Sequence, residues 1–289
     1  MQTSNMKGRL WLVGMTSLVL IAFAANPILC RLALKQTAID PASFTLIRLA
    51  AGAATLSVLL RLRAGRRAVA GDWPAALSLF VYAAALSYAY VSLDAGTGAL
   101  LLFGAVQATM IPVGLAQGER LSGLQVGGYV LALAGLVVLV APGVTAPSLI
   151  GAVLMVGSGM AWGIYSLMGR GGTRPAAATA GNFLRAMTLA AVLSIVTLRW
   201  AAWDSWGAGY AVISGALASG IGYMLWYSVL PALRATQAAT VQLSVPAITA
   251  LGGVLFLDEQ LTLRLLTASI AILGGIALAL RATRPTRTD

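Results

Sequence analysis

The chain has 289 residues, of which 59% are hydrophobic and only 9% charged, and it carries a net charge of +11. Soluble domains carry about 25% charged residues, so this composition excludes a water-facing surface over most of the molecule and points to lipid, in which apolar side chains need no cover. With no histidine and a single cysteine, Cys30, the chain has no internal disulfide and no cysteine- or histidine-based metal cluster.

The apolar runs are continuous rather than alternating, which predicts helices and not a barrel, because in hydrocarbon each segment must pair its own backbone groups. The first span is Leu10–Leu34. Lys7 and Arg9 precede it, and Ala22-Phe23-Ala24 resembles a cleavage site, but the run continues through Ile28-Leu29 and reads as an uncleaved helix. Spans two to five are Ser43–Leu62, Trp73–Ser92, Ala95–Ala116 and Leu124–Ala141. Pro142-Gly143 and Pro147 then break the chain near its middle. Spans six to ten are Ser148–Met168, Ala176–Leu198, Trp206–Leu230, Ala235–Leu257 and Leu263–Leu280. Ten helices of roughly 20 residues account for the chain.

The basic residues test this scheme. With the N-terminus in the cytoplasm, thirteen of the 19 fall in cytoplasmic segments. Four (Arg31, Lys35, Arg199 and Arg264) fall on the other side, and Arg48 and Arg185 fall inside the membrane. That asymmetry is the positive-inside pattern, and it places both termini in the cytoplasm; the expected location is the cell (inner) membrane.

A shift of 140 residues overlays the late part of each half: Gly118-Glu119-Arg120-Leu121-Ser122 falls on Asp258-Glu259-Gln260-Leu261-Thr262, and Thr109 and Gly135 fall on Thr249 and Gly275. A shift of 137 places Arg48 on Arg185. Five spans per copy force the second copy into the opposite orientation. The expected fold is therefore all-α and integral to the membrane, with ten transmembrane helices as two inverted five-helix repeats, residues 1–143 and 144–289, around a central cavity.

Over almost its whole length the chain resembles the EamA-type drug/metabolite transporter superfamily. The resemblance rests on the Gly118–Leu121 and Asp258–Leu261 ends of spans four and nine, and on Ala134-Gly135-Leu136 and Leu273-Gly274-Gly275 in the helices after them. Ala161-Trp162-Gly163-Ile164-Tyr165 and the arginine early in span two belong to it as well. It implies carriers of metabolites such as amino acids, working more often in export than uptake. It also implies a cavity lined by spans one to four and six to nine, with spans five and ten peripheral. Two positions depart from the family: Phe23-Ala24-Ala25-Asn26 stands where Trp-Gly is common, and Val106 stands where a proline is expected, whereas Pro246 keeps it in span nine.

All eight acids lie at span ends or in loops, so no intramembrane carboxylate or histidine is available as a proton relay. A facilitator or exchanger fits better than a carboxylate-driven antiporter. Arg48 and Arg185 are the sharpest candidates for the site: each either binds a substrate anion or ties helices through backbone carbonyls. Asn182 shares a helical face with Arg185, and Asn26 stands beside Pro27 in span one. Ser87 and Tyr90, Trp162 and Tyr165, and Tyr223 and Trp226 form polar-aromatic stripes suited to a small amphipathic solute. Gln107 and Gln242 either touch substrate or bond another helix. Glu119 and Glu259 are expected to cap a helix or pair with an arginine. The alternative is an intramembrane enzyme acting on a lipid-linked substrate, and no nucleophile, triad, phosphate loop or metal motif supports it. The expected partners are membrane lipids and a small-molecule substrate, without nucleic acid or cofactor, in a monomer or homodimer.

Overall fold

The computed structural model describes residues 2–64, 70–116, 122–143, 146–169, 174–229 and 244–281. Among these residues the secondary structure is helical, with no strand. The helices are α1 (Gln2–Gln36), α2 (Pro41–Ala64), α3 (Trp73–Tyr90), α4 (Ala95–Ala116), α5 (Gly123–Val140), α6 (Leu149–Met168) and α7 (Pro175–Val196). Helix α8 is made of three abutting segments, Ser205–Ile213, a π-helical run Ser214–Ile221, and Gly222–Val229; α9 (Ser244–Leu257) and α10 (Leu263–Arg281) follow. The predicted start of span nine with Gln242, and the predicted cap Glu119, lie outside the described residues.

Among the described residues six helices are long and apolar enough to cross a membrane: Trp11–Gln36, Pro41–Leu62, Gly123–Val140, Leu149–Met168, Pro175–Val196 and Ser205–Trp226. Ala95–Met110, Ser244–Leu257 and Leu263–Ala279 are shorter apolar helices. Leu149, Leu255 and Leu263 are 76%, 73% and 76% exposed, an arrangement that only a lipid surround makes tolerable.

Polar side chains fix the helix starts. Asp40 accepts the Ala42 and Ser43 amides, Asp72 the Ala75 amide, and Asp204 the Gly207 amide. Ser122 and Gln125 form a reciprocal capping box at α5, Ser148 caps α6 and Thr262 caps α10. Each carboxylate satisfies orphan N–H groups and meets the positive end of the helix dipole, which explains why the acids sit at the span ends.

The principal packing pairs are α1 with α8 and α9, α3 and α4 with α6, α2 with α7 and α8, α3 with α7, α4 with α9, and α5 with α10. The α5–α10 pair closes on glycine. A Cβ on Gly128 would stand 2.5 Å from the Gly275 carbonyl oxygen, and one on Gly275 would meet the Gly128 carbonyl oxygen and stand 2.7 Å from the Ala132 nitrogen. Backbones approach this closely only where no side chain intervenes. Gly275→Ala is expected to destabilise the fold by about 1–3 kcal/mol through overpacking, read as a lower melting temperature in detergent. Gly274→Ala, which meets nothing within 4 Å, is expected to leave it unchanged or raise it through helix propensity.

Candidate functional site

A narrow cavity of about 50 Å³ lies within the bundle. Its wall comes from five helices: Phe23, Asn26 and Pro27 of α1, Tyr82 and Leu86 of α3, Leu102 and Phe103 of α4, Trp162 of α6, and Ala218, Ser219 and Tyr223 of α8. The aromatic rings form a connected set. Trp162 stacks on Tyr223 with centroids 5.5 Å apart and planes 14° from parallel, and it also meets Tyr82 at 4.8 Å and Tyr165 at 5.6 Å. Tyr223 meets Phe23 edge-on at 5.9 Å, and Phe23 meets Trp226 at 6.1 Å. Such offset and edge contacts are each worth roughly 0.5–1.5 kcal/mol beyond area burial, so the wall is stiff before any solute arrives.

Behind this wall sits Arg48, only 2% exposed. Its Nη2 donates to the Tyr82 hydroxyl oxygen at 3.2 Å and its Nη1 to Cys30 Sγ at 3.8 Å. The guanidinium carbon lies 5.4 Å from the Tyr82 ring centre. Nε is buried with no hydrogen-bond partner. Asn26 donates from Nδ2 to the same Tyr82 oxygen at 3.3 Å, and its Oδ1 accepts from the Ser214 hydroxyl at 2.7 Å. Helix α8 rides directly on the α2 backbone here: a Cβ on Gly215 would meet the Arg48 carbonyl oxygen, and one on Gly220 would stand 3.0 Å from Thr55.

The structure thus brings Asn26, Trp162 and Tyr223 together on the wall of one cavity, with Arg48, Tyr165 and Trp226 in the layer that touches the wall residues. It places the other candidates elsewhere. Arg185 donates to the carbonyls of Ala70 and Gly181 at 3.2 and 3.1 Å, and its guanidinium lies 6.0 Å from the Trp73 ring centre. Asn182 accepts the Asp72 amide at 3.0 Å. The two fasten the segment ahead of α3 onto α7. Ser87 accepts from Thr45 at 2.8 Å and ties α3 to α2, and Tyr90 donates to the Ala95 carbonyl at 3.4 Å within the α3–α4 corner. Gln107 is half-buried on α4, outside the residues that line the cavity. Sequence reading missed Tyr82, although it stands nine residues into an 18-residue helix, as central a position as the one that singled out Trp162.

A second polar centre lies where α1 ends and α4 begins. Arg31, 4% exposed, donates to the carbonyls of Tyr90 and Val91 at 2.8 and 3.0 Å, to Asp94 at 3.1 Å and to Glu259 at 3.4 Å. Glu259 in turn accepts the Ala95 amide at the start of α4 with both oxygens, at 3.0 and 2.9 Å. It therefore caps a helix and pairs with an arginine, both across 164 residues or more of chain. On the far side of this cluster a hollow opens between Lys35, Asp94, Asp258 and Thr262.

The sequence pattern of the EamA-like transporter family matches residues 149–281. An uncharacterized protein of Pseudomonas aeruginosa is 57% identical over 92% of this chain and 93% of its own length. An uncharacterized transporter of Archaeoglobus fulgidus is 24% identical over 84% of this chain and 90% of its own. A solved crystal structure covers 91% of this chain and 98% of its own with a TM-score of 0.62 at 24% identity, which speaks for the fold alone.

Burial pushes the Glu259 carboxyl above the ordinary glutamate range; Asp94 adds to this, and the Ala95 amide and Arg31 work against it. The folded state then holds a proton that the unfolded state has released. The stability this supplies is complete below the ordinary value of about 4.3 and is lost as pH rises through the folded value. Melting temperature in detergent is expected to fall over that window. Glu259→Gln is expected to flatten the dependence, and an unaltered slope in the variant would place its origin elsewhere.

Proposed function

Because the chain belongs to the EamA-like transporter family, we propose that this multi-pass membrane protein is a secondary carrier moving a small metabolite across the inner membrane by alternating access. The single observation that carries the reading is the aromatic cavity with Asn26, Tyr82 and Ser219 on its wall, enclosed by helices whose outer faces suit only lipid. Concave, largely apolar chambers with a few convergent polar groups are the usual form of a small-solute site. The family resemblance leaves the solute class broad, an amino acid or related amphipathic or anionic metabolite, and the cavity's own groups narrow it. Asn26, Trp162 and Tyr223 would touch it, with Arg48 setting the charge. Ser87, Tyr90, Gln107, Asn182 and Arg185 belong to the frame around them.

The packing pairs support two inverted repeats, residues 1–143 and 144–289, and hence ten spans. Exchanging each helix with the one five places later turns α1–α8 into α6–α3, α1–α9 into α6–α4, and α2–α8 into α7–α3. The pairs α2–α7, α4–α9 and α5–α10 map onto themselves. A two-fold relation of this kind lets one bundle rock against the other around a fixed site. The charge asymmetry puts both termini in the cytoplasm, and the Arg31 cluster is then the outer seal that rocking must break. Every described acid caps a helix, belongs to that cluster or lies in a turn. That placement supports a facilitator or exchanger; the export direction rests on the family resemblance alone, and the proposed assembly is a monomer or homodimer in lipid.

Reconstituted into proteoliposomes, the protein is expected to exchange or equilibrate at least one solute from a radiolabelled panel of amino acids, organic acids and other small metabolites above empty vesicles. A silent panel would remove the carrier reading.

A further inference from the structure

The charge the cavity accepts can be read from the Tyr82 hydroxyl. A phenol oxygen has two acceptor lone pairs and one proton. Arg48 can only donate, and Asn26 is oriented by Ser214 so that its Nδ2 faces Tyr82. Both lone pairs are therefore taken by N–H donors, and the O–H proton is left for the cavity that the ring lines. Accepting from a guanidinium polarises the hydroxyl and strengthens it as a donor.

The guanidinium behind it has no counter-charge among the described residues. Its partners are a phenol and a thiol, both neutral, and its Nε is buried and unpaired. Neither ion pair found among the described residues includes it. The cavity wall itself contains no carboxylate, and none of the eight acids falls inside a predicted span.

Resting on the carrier reading, we propose that the cavity selects monoanionic solutes, carboxylates by class, that have a flat apolar body and no ammonium group. The carboxylate accepts from Tyr82 Oη in the field of Arg48, in a cavity that Ser219 also lines. The body lies against the Trp162–Tyr223 stack. A zwitterion or cation would bring an ammonium into the field of the Arg48 guanidinium, with no carboxylate on the wall to offset the like-charge repulsion.

Three probes share one phenethyl body: 3-phenylpropionate (anion), phenylalanine (zwitterion) and phenethylamine (cation). Binding to the full-length protein in detergent is measured by calorimetry and by ligand-dependent thermal shift. The expected result is that 3-phenylpropionate binds about tenfold or more tightly than either of the others, the size of one charge-assisted hydrogen bond. Tyr82→Phe is expected to erase that preference in protein still monodisperse on gel filtration. Because that variant also loses two hydrogen bonds, the ranking in the unaltered protein is the independent arm. Equal or tighter binding of phenylalanine or phenethylamine overturns the proposal, as does silence from all three. A preference that survives in Tyr82→Phe overturns the role of Tyr82. The carrier reading falls only if the wider transport panel is silent too.

Discussion

A guanidinium held away from water inside an apolar bundle is the constraint around which the centre of this protein is organised. Placing arginine at the middle of a membrane helix costs about 2.5–3.5 kcal/mol on insertion scales, and the protein must supply what water would have given. It does so with a phenol oxygen, a sulfur and the face of a ring. Tyr82 is held by Arg48, Asn26 by Tyr82, and Ser214 by Asn26, so one charge fixes side chains on four helices. The wall of the cavity is in this sense the solvation shell of Arg48.

The acidic residues show the complementary rule. A carboxylate is tolerated where helix N-termini offer bare amides, and Asp40, Asp72, Asp204 and Glu259 are used that way. Spending the acids on helix ends leaves the interior positive. The one buried ion-paired cluster among the described residues, built on Arg31, joins the end of α1, the α3–α4 corner and the turn before α10. It is the place where separate parts of the chain are held by charge rather than by packing.

Much of this was legible in the sequence. Continuous apolar runs and Asp, Ser or Pro punctuation predict helices whose described ends agree with the observed ones within a few residues, except that α1 begins at Gln2, eight residues before the predicted Leu10, because in lipid the local rules of backbone satisfaction leave little freedom. The central aromatics Trp162 and Tyr223 were readable for the same reason. The fates of the two arginines were not. The internal repeat pairs Arg48 with Arg185, yet Arg185 extends along its stem to loop and helix carbonyls. Arg48 is sealed in where α8 crosses α2 at Gly215. That difference depends on a glycine 167 positions away in the chain, and no local pattern encodes it. The Arg31–Glu259 pair, separated by 228 residues, was hidden in the same way.

The π-helical run of α8 changes the beat at which this helix presents its side chains. An α-helix brings residues three or four apart to one face, but the i→i+5 bonding of a π turn brings residues five apart into line. Ser214, which holds Asn26, and Ser219, which lines the cavity, are five apart within that run, and Tyr223 follows four later, where the α beat resumes. The run is thus a change of phase: upstream of it the helix keeps one azimuth, and downstream it keeps another. Wound as plain α-helix, the same residues would turn everything beyond by roughly one residue's step, about 100°, carrying Tyr223 off the stack and Trp226 away from Phe23. The aromatic lining of the chamber is held in angle by a single surplus residue in one helix.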